Sequence, residues 1–153
     1  MELVLFERDG GIFALPAESV VQVAADTTLK PLPFPCAPVE GFVRIGERAL
    51  VAIDLAARLR PGHEPVSGPW SPLPETLEVR GADGPFAIRV RRVLGTVPML
   101  RIPLDAFTIG AGPDDAPDAA GEPVIASFAW HSRRALLLDP DALRVADPGR
   151  QRA

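Results

Sequence analysis

The sequence has few of the residues that build disulfides, metal sites and basic surfaces. Its 153 residues include one cysteine, Cys36, so no internal disulfide can form, and the histidines His63 and His131 stand in no metal-ligand spacing. We therefore expect no metal and no cofactor. Lys30 is the one lysine and the formal net charge is −4, so acids balance the arginines and no nucleic-acid partner is expected.

Long apolar runs and export signals are also missing. Prolines and charges interrupt every apolar stretch before it reaches the roughly 20 residues that cross a bilayer. The N-terminal residues lack the basic head and apolar stretch of an export signal. These absences predict a cytoplasmic protein that does not insert directly into a membrane.

Proline and glycine, by contrast, are abundant. Eighteen prolines and thirteen glycines largely exclude long helices, and the segments between them are rich in strand formers. We predict one hairpin from residues 2–7 and 12–15 and another from residues 42–45 and 48–53. Residues 29–38 carry four prolines and are interpreted as an extended, irregular connection.

Two patterns occur in both halves of the chain. Residues 13–15 (Phe-Ala-Leu) and 86–88 (Phe-Ala-Ile) each precede an aliphatic pair at the same spacing. Later, Phe42 and Phe128 each precede an Arg-Ala-Leu triplet by six residues, and each triplet leads into an aliphatic run that ends at an aspartate. We interpret this as duplication of a small all-β unit, with chance similarity as the alternative. A duplicated β unit usually provides a binding surface.

Catalytic chemistry has one candidate, the strand-end aspartates Asp54 and Asp139. Paired carboxylates can share a proton and activate water. Each aspartate, however, precedes a short helical segment, where a carboxylate caps exposed N–H groups. The chain also lacks a nucleophile elbow and a phosphate-binding glycine loop followed by lysine. We therefore expect a protein that is not an enzyme and has no catalytic residues.

Several segments, taken in order, resemble the CheW-like coupling proteins of bacterial chemotaxis. Residues 13–16 (Phe-Ala-Leu-Pro) and 20–23 (Val-Val-Gln-Val) are similar to that family's Tyr-Ala-Leu-Pro and Val-x-Glu-Val strands. Residues 51–55 (Val-Ala-Ile-Asp-Leu) are similar to its Val-Ile-Asp-Leu strand end, and residues 134–139 to its closing strand. The likeness runs from about residue 3 to 145.

This resemblance implies an all-β fold of two SH3-like five-stranded β-barrels with short helical segments. We expect one domain over residues 1–147, with a first barrel at about 1–60, a linker at about 61–74, a second barrel at about 75–147, and a flexible tail at 148–153. An acidic loop over residues 110–122 has no counterpart in the first half.

The resemblance also implies an adaptor that couples the regulatory domain of a CheA-type histidine kinase to the cytoplasmic tips of methyl-accepting chemoreceptors, in receptor arrays at the membrane. Two charges of the family are missing. Gly46 occupies the position of the family's partner-contacting arginine, and Gln22 occupies the position of its glutamate. Partner contacts are expected through Val20, Gln22, Gly41, Val43, Arg44 and Gly46. The two valines could equally be barrel core, and the glycine at 41 could serve backbone geometry.

Three other functions stay open at this stage. A divergent module of the same fold could serve another two-component or motility pathway with different protein partners. The groove between the barrels could hold a small molecule, which would make the chain a sensor domain. The weakest alternative is a hydrolase that uses Asp54 and Asp139.

Overall fold

The computed structural model describes residues 1–36, 38–59, 73–102, 108–109 and 123–143, and most of them lie in β-strands. Predictions about residues 61–72 of the linker, the acidic loop 110–122, His63 and the tail 148–153 lie outside the described residues. No helix within the described ranges is long and apolar enough to span a bilayer.

The described residues of the first half form six strands and one α-helix. They are β1 (Glu2–Arg8), β2 (Gly11–Pro16), β3 (Val20–Ala25), β4 (Leu29–Cys36), β5 (Val39–Ile45), β6 (Arg48–Ile53) and α1 (Leu55–Leu59). A 3-10 turn at Ala17–Ser19 leads into β3.

The second half repeats this series. Its elements are β7 (Glu75–Gly81), β8 (Gly84–Val90), β9 (Arg92–Pro98), β10 (Thr108–Ile109), β11 (Val124–Trp130), β12 (Arg133–Leu138) and α2 (Pro140–Leu143). A 3-10 turn at Met99–Arg101 follows β9.

The strands form two six-stranded sheets with the same topology. Sheet A has the order β10-β11-β12-β2-β1-β9, and sheet B has the order β4-β5-β6-β8-β7-β3. The two orders become identical when each strand is replaced by its repeat partner, β1 by β7 through to β6 by β12. Even the directions agree, because β12 runs parallel to β2 and β6 runs parallel to β8. The all-β fold of two barrel-like, pseudo-duplicated units is confirmed.

The repeats exchange their hairpins. Strands β1 and β2 lie in sheet A with β9 to β12, whereas β7 and β8 lie in sheet B with β3 to β6. The linker separates the two repeats along the sequence. In space, each sheet combines four strands of one half with the first hairpin of the other half.

The proline-rich segment 29–38 departs from the prediction of an irregular connection. Most of it forms β4, which pairs with β5 through Leu29 opposite Val43 and Pro31 opposite Gly41. Because β4 is an edge strand, one of its sides has no neighbouring strand, and a proline there can lack an N–H group without breaking the sheet. This strand is the sixth of sheet B, where five were expected.

The second sequence pattern is out of register by one residue. Arg48 and Arg133 both follow a two-residue hairpin tip, so they are structurally equivalent, and Val43 is equivalent to Phe128. The predicted match of the two Arg-Ala-Leu triplets is therefore wrong by one position. Neighbouring residues of a strand point to opposite faces. Phe42 is accordingly 37% exposed, whereas Phe128 is 2% exposed.

Among the described residues, three apolar clusters form the core. A central cluster joins both sheets and includes Phe6 and Leu15 of sheet A and Phe86 and Ile88 of sheet B. Each sheet also encloses a cluster of its own, built around Phe128 in sheet A and around Val43 in sheet B. The central cluster fixes the two sheets against each other.

Candidate functional site

All six residues predicted to contact partners lie in sheet B or at the tip of its β5–β6 hairpin. Gln22, Arg44 and Gly46 are exposed, and Val20 is half-buried against the central cluster. Val43 is fully buried in the cluster of sheet B, where it is part of the barrel core. The exposed members are therefore the ones that a partner can reach in this conformation.

Gly41 is also buried, and backbone packing accounts for it. A β-carbon at this position would overlap the carbonyl group of Lys30 in the neighbouring strand β4. Only glycine allows β4 and β5 to approach this closely. Gly41 thus shapes the hairpin, in agreement with the geometric alternative.

Arg44 and Gly46 lie together at the hairpin tip. Gly46 adopts a positive φ of 63°, which the two-residue turn requires. The Nε group of Arg44 donates a hydrogen bond to the Gly46 carbonyl oxygen at 3.3 Å. The arginine therefore lies along the exposed tip, beside the position at which the resemblance places the family's arginine.

A polar trio links β3 to the β5–β6 hairpin. Glu78 of β7 is fully buried and lies directly opposite Gln22 of β3. Its Oε1 atom accepts hydrogen bonds from Gln22 Nε2 at 2.8 Å and from an Arg48 guanidinium nitrogen at 2.5 Å. Burial raises the pKa of Glu78, but the hydrogen bonds from Arg48 and Gln22 outweigh it, so this pKa lies below its ordinary value.

The other repeat shows that the fold does not require this trio. Glu78 pairs with Ala87 as Leu5 pairs with Ala14, so Leu5 occupies the equivalent position in sheet A. Opposite Leu5 stands Gly95, where sheet B has Gln22. Sheet A therefore fills the same interior with apolar atoms.

A second charged cluster is centred on Arg8 at the end of β1, whose side chain is fully buried. It donates to Glu40 Oε2 at 3.3 Å and to the Arg89 carbonyl oxygen at 3.1 Å, and it lies 3.6 Å from Asp54 Oδ1. Asp9 adds a further ion pair at 3.2 Å. Arg8 thus carries a positive charge from sheet A into sheet B, where buried carboxylates compensate for it.

Glu40 is the member of this cluster with a perturbed pKa. Burial raises the pKa of Glu40 above its ordinary value, although the charges of Arg8 and Arg89 oppose the rise. The residue lies at a β-bulge of β5, and bulges redirect side chains out of the regular alternation. The bulge directs Glu40 towards Arg8.

The two strand-end aspartates serve as helix caps. Asp54 Oδ1 accepts a hydrogen bond from the Ala57 amide at 3.2 Å, and Asp139 Oδ1 accepts one from the Asp141 amide at 3.0 Å. They follow strands in different sheets. Both carboxylates therefore have a structural role as helix caps, which needs no catalytic function to explain it. Within the described ranges, no group of three or more histidine, cysteine or acidic side chains is arranged to hold a metal ion.

Sequence reasoning missed Glu78, Arg8 and Glu40, and noted Arg48 only as part of a repeat. One signal was available, because Glu78 interrupts the apolar run Leu77-Glu78-Val79 of a strand that is buried on both faces. Its partners are remote in sequence, at separations of 30 and 56 residues. Local pattern could therefore reveal the buried acid but not the residues that satisfy it.

Comparison with known proteins supports the fold. No protein-family model matches the chain, and no curated protein matches its sequence. Among solved structures, the chain is similar to the scaffolding protein TtCheW from Thermoanaerobacter tengcongensis, with a TM-score of 0.69 and 17% sequence identity over 95% of this chain and 93% of that one. The resemblance seen in the sequence is thereby confirmed at the level of structure, and the chain has the fold of a CheW scaffolding protein.

Proposed function

We propose that this chain is a non-catalytic adaptor in chemotaxis-type signal transduction. It couples a CheA-type histidine kinase, through its regulatory domain, to the cytoplasmic tips of chemoreceptors, and it is recruited to receptor arrays at the membrane. The observation that carries the proposal is the likeness to a CheW scaffolding protein over 95% of the chain. The capping roles of the two candidate catalytic aspartates agree with it.

The proposed contact surface lies on sheet B, at the exposed end of β3 and the β5–β6 tip. It contains Val20, Gln22, Arg44 and Gly46, with Gly41 and Val43 supporting the hairpin from within. Exposed valines on β3, Val21 and Val23, add apolar area beside these polar groups. A surface of this mixed character suits protein–protein contact.

Affinity purification of the tagged full chain from its native host tests the adaptor role. We expect a histidine kinase and chemoreceptors to be enriched over a tag-only control. The change Arg44→Glu should reduce that enrichment, whereas Arg101→Glu, the same change at an exposed arginine in the other half, should not. Recovery of neither kinase nor receptor would contradict the proposal.

A second candidate function is a CheW-like module of another two-component or motility pathway. The specific observation in its favour is the polar trio, which combines an uncharged Gln22 with a pair made by Arg48 and Glu78. A different set of charges selects different partners. Enrichment of another signalling protein, without a chemotaxis kinase, would support this function over the first.

A further inference from the structure

We propose that Arg48 is a specificity-determining contact for an acidic segment of a partner protein, and that the buried Glu78 is the residue that positions it. This inference rests on the proposed adaptor function and deepens it by naming the chemistry of the partner. The trio of Gln22, Glu78 and Arg48 carries the proposal.

Glu78 buries a carboxylate at a position where the fold does not need one. Leu5 fills the equivalent position in the other repeat, so the fold accepts an apolar side chain there. Burying a charge is unfavourable unless it is paired and hydrogen-bonded, and apolar replacements are often at least as stable. Glu78 is also incompletely satisfied, because its Oε2 atom makes no hydrogen bond to the described part of the chain. Stability of the fold therefore does not explain Glu78.

Arg48 is anchored at one side of its guanidinium group and open to solvent at the other. Its guanidinium contacts Glu78 Oε1 at 2.5 Å on one side, while its side chain remains 49% exposed. A guanidinium has five N–H donors in a planar fork, and one charged contact leaves donors for a second. Anchoring a long side chain before binding reduces the entropy that it loses on binding. Arg48 is thus presented to solvent in a fixed orientation.

The equivalent arginine of the other repeat is used differently. Arg133 donates to the carbonyl oxygen of Gly10 at 2.8 Å, and its contact is with the backbone of a neighbouring turn. No buried carboxylate faces it at the position of Leu5. Arg133 therefore provides a matched control for Arg48, with the same residue type at the same place in the fold.

The charges and apolar groups near the trio define the occupant. Arg44 lies at the same hairpin tip, and the positive charge of Arg80 also acts on Glu78. The exposed valines Val21 and Val23 flank Gln22 on the edge strand β3, at 44% and 43% exposure. Cationic groups beside exposed apolar ones favour a partner segment in which carboxylates alternate with apolar side chains.

Charge reversal tests the contact with the proposed partners. The affinities of the full chain for the kinase regulatory domain and for the receptor tip are measured with Arg48→Glu and with Arg133→Glu. Arg48→Glu should weaken one of them by about tenfold or more, because it replaces a charge-assisted bond with repulsion, while Arg133→Glu stays within about twofold. An acid-to-arginine change in the partner should then restore binding to Arg48→Glu. Unchanged affinity for both partners would overturn the inference.

The positioning role of Glu78 has its own readout. Glu78→Leu introduces the residue of the other repeat and should lower the affinity by about fivefold without lowering the melting temperature, because Arg48 loses its anchor but the core remains filled. Glu78→Gln is measured beside it. If both variants lose affinity equally and both also unfold more easily, Glu78 has a structural role only, and its positioning role is overturned.

A probe that needs neither proposed partner separates the two proposals. If the unaltered chain binds neither kinase nor receptor, the adaptor function fails, and the isotope-labelled full chain is titrated with a peptide of alternating glutamate and leucine and with its lysine counterpart. The side-chain NMR signals of Arg48 and Gln22 should shift with the acidic peptide only, and Arg48→Ala should abolish the shift. Equal shifts with both peptides, or none, would overturn the inference.

Discussion

The two repeats have the same strand order but differ in what they bury. Near sheet B the chain places Glu78, Arg8 and Glu40, with little or no exposure of their side chains. The equivalent position in the other half is uncharged in each case, with Leu5 for Glu78, Gly81 for Arg8, and Ile125, which is 42% exposed, for Glu40. Both versions produce the same six-stranded topology. The shared fold therefore does not need charged groups at these positions, and either function or the contact between the sheets must explain them.

Leu5 and Glu78 occupy equivalent positions, and placing the glutamate at position 5 should have the largest effect on stability. Leu5→Glu places a carboxylate in an apolar cluster opposite Gly95, which has no side chain to donate a hydrogen bond, while Arg133 already donates to the Gly10 carbonyl oxygen, so we expect a loss of about 4 kcal/mol in the free energy of unfolding. The reverse exchange, Glu78→Leu, should be neutral or slightly stabilising. Urea denaturation at neutral pH measures both changes. A similar loss for the two exchanges would show that the repeats are not equivalent here.

The register shift between the repeats predicts the next largest difference. Phe128→Ala empties part of the sheet A cluster and should cost about 4 kcal/mol. Phe42→Ala removes a ring that is 37% exposed and should cost less than about 1 kcal/mol. Thermal and urea unfolding of the two variants provide the check. Equal losses of stability in the two variants would support the pairing of Phe42 with Phe128 that the sequence pattern suggested.

Removing the charge that joins the sheets should rank third. Arg8→Met keeps the length of the side chain but leaves Glu40 and Asp54 without their shared cation, so we expect a loss of about 3 kcal/mol. Arg133→Met, at an exposed arginine, serves as the control and should change stability by less than about 0.5 kcal/mol. A loss no greater than that of the control would mean that Arg8 does not hold the sheets together.

The smallest effect concerns pH. Because the pKa of Glu40 is raised in the folded state, the folded chain binds more protons than the unfolded chain between the ordinary and the raised pKa. The stability from this group is complete below the ordinary pKa and is lost as the pH rises through the raised one. Glu40→Gln should remove this slope and change stability by about 1 kcal/mol or less. Urea unfolding in steps from about pH 4 to 7 measures the slope, and an unchanged slope would point to another group.

Much of the local structure could be predicted from the sequence. The two-residue tips at Gly10 and Gly46 follow from turn residues that accept a positive φ, and the strands around them follow from alternation and β-branched residues. The capping roles of Asp54 and Asp139 follow from their position before short helices. These features depend on neighbours within a few residues, which a single sequence displays directly.

Long-range pairing was beyond such reasoning. The prolines of β4 suggested an irregular connection, because the sequence does not show that the segment lies at an edge where missing donors are tolerated. The exchange of hairpins and the bond from Arg48 to Glu78 depend on which strands become neighbours, and local propensity carries no information about that choice. The exposed candidates Gln22 and Arg44 could be named in advance, and the local pattern could reveal the buried acid Glu78, but its bonds to Gln22 and Arg48 could not be predicted.

The exchanged hairpins have a consequence for how the chain folds. During synthesis, β1 and β2 emerge first, yet their neighbours β9 and β12 emerge only near the end of the described chain, so sheet A cannot be completed early. Pairing between residues so distant in sequence slows folding and leaves strand edges open in the meantime. Two copies could also complete one another by trading the same hairpin, with every native pairing retained. The crossed connection that unites the repeats therefore also offers a route to dimers that exchange hairpins.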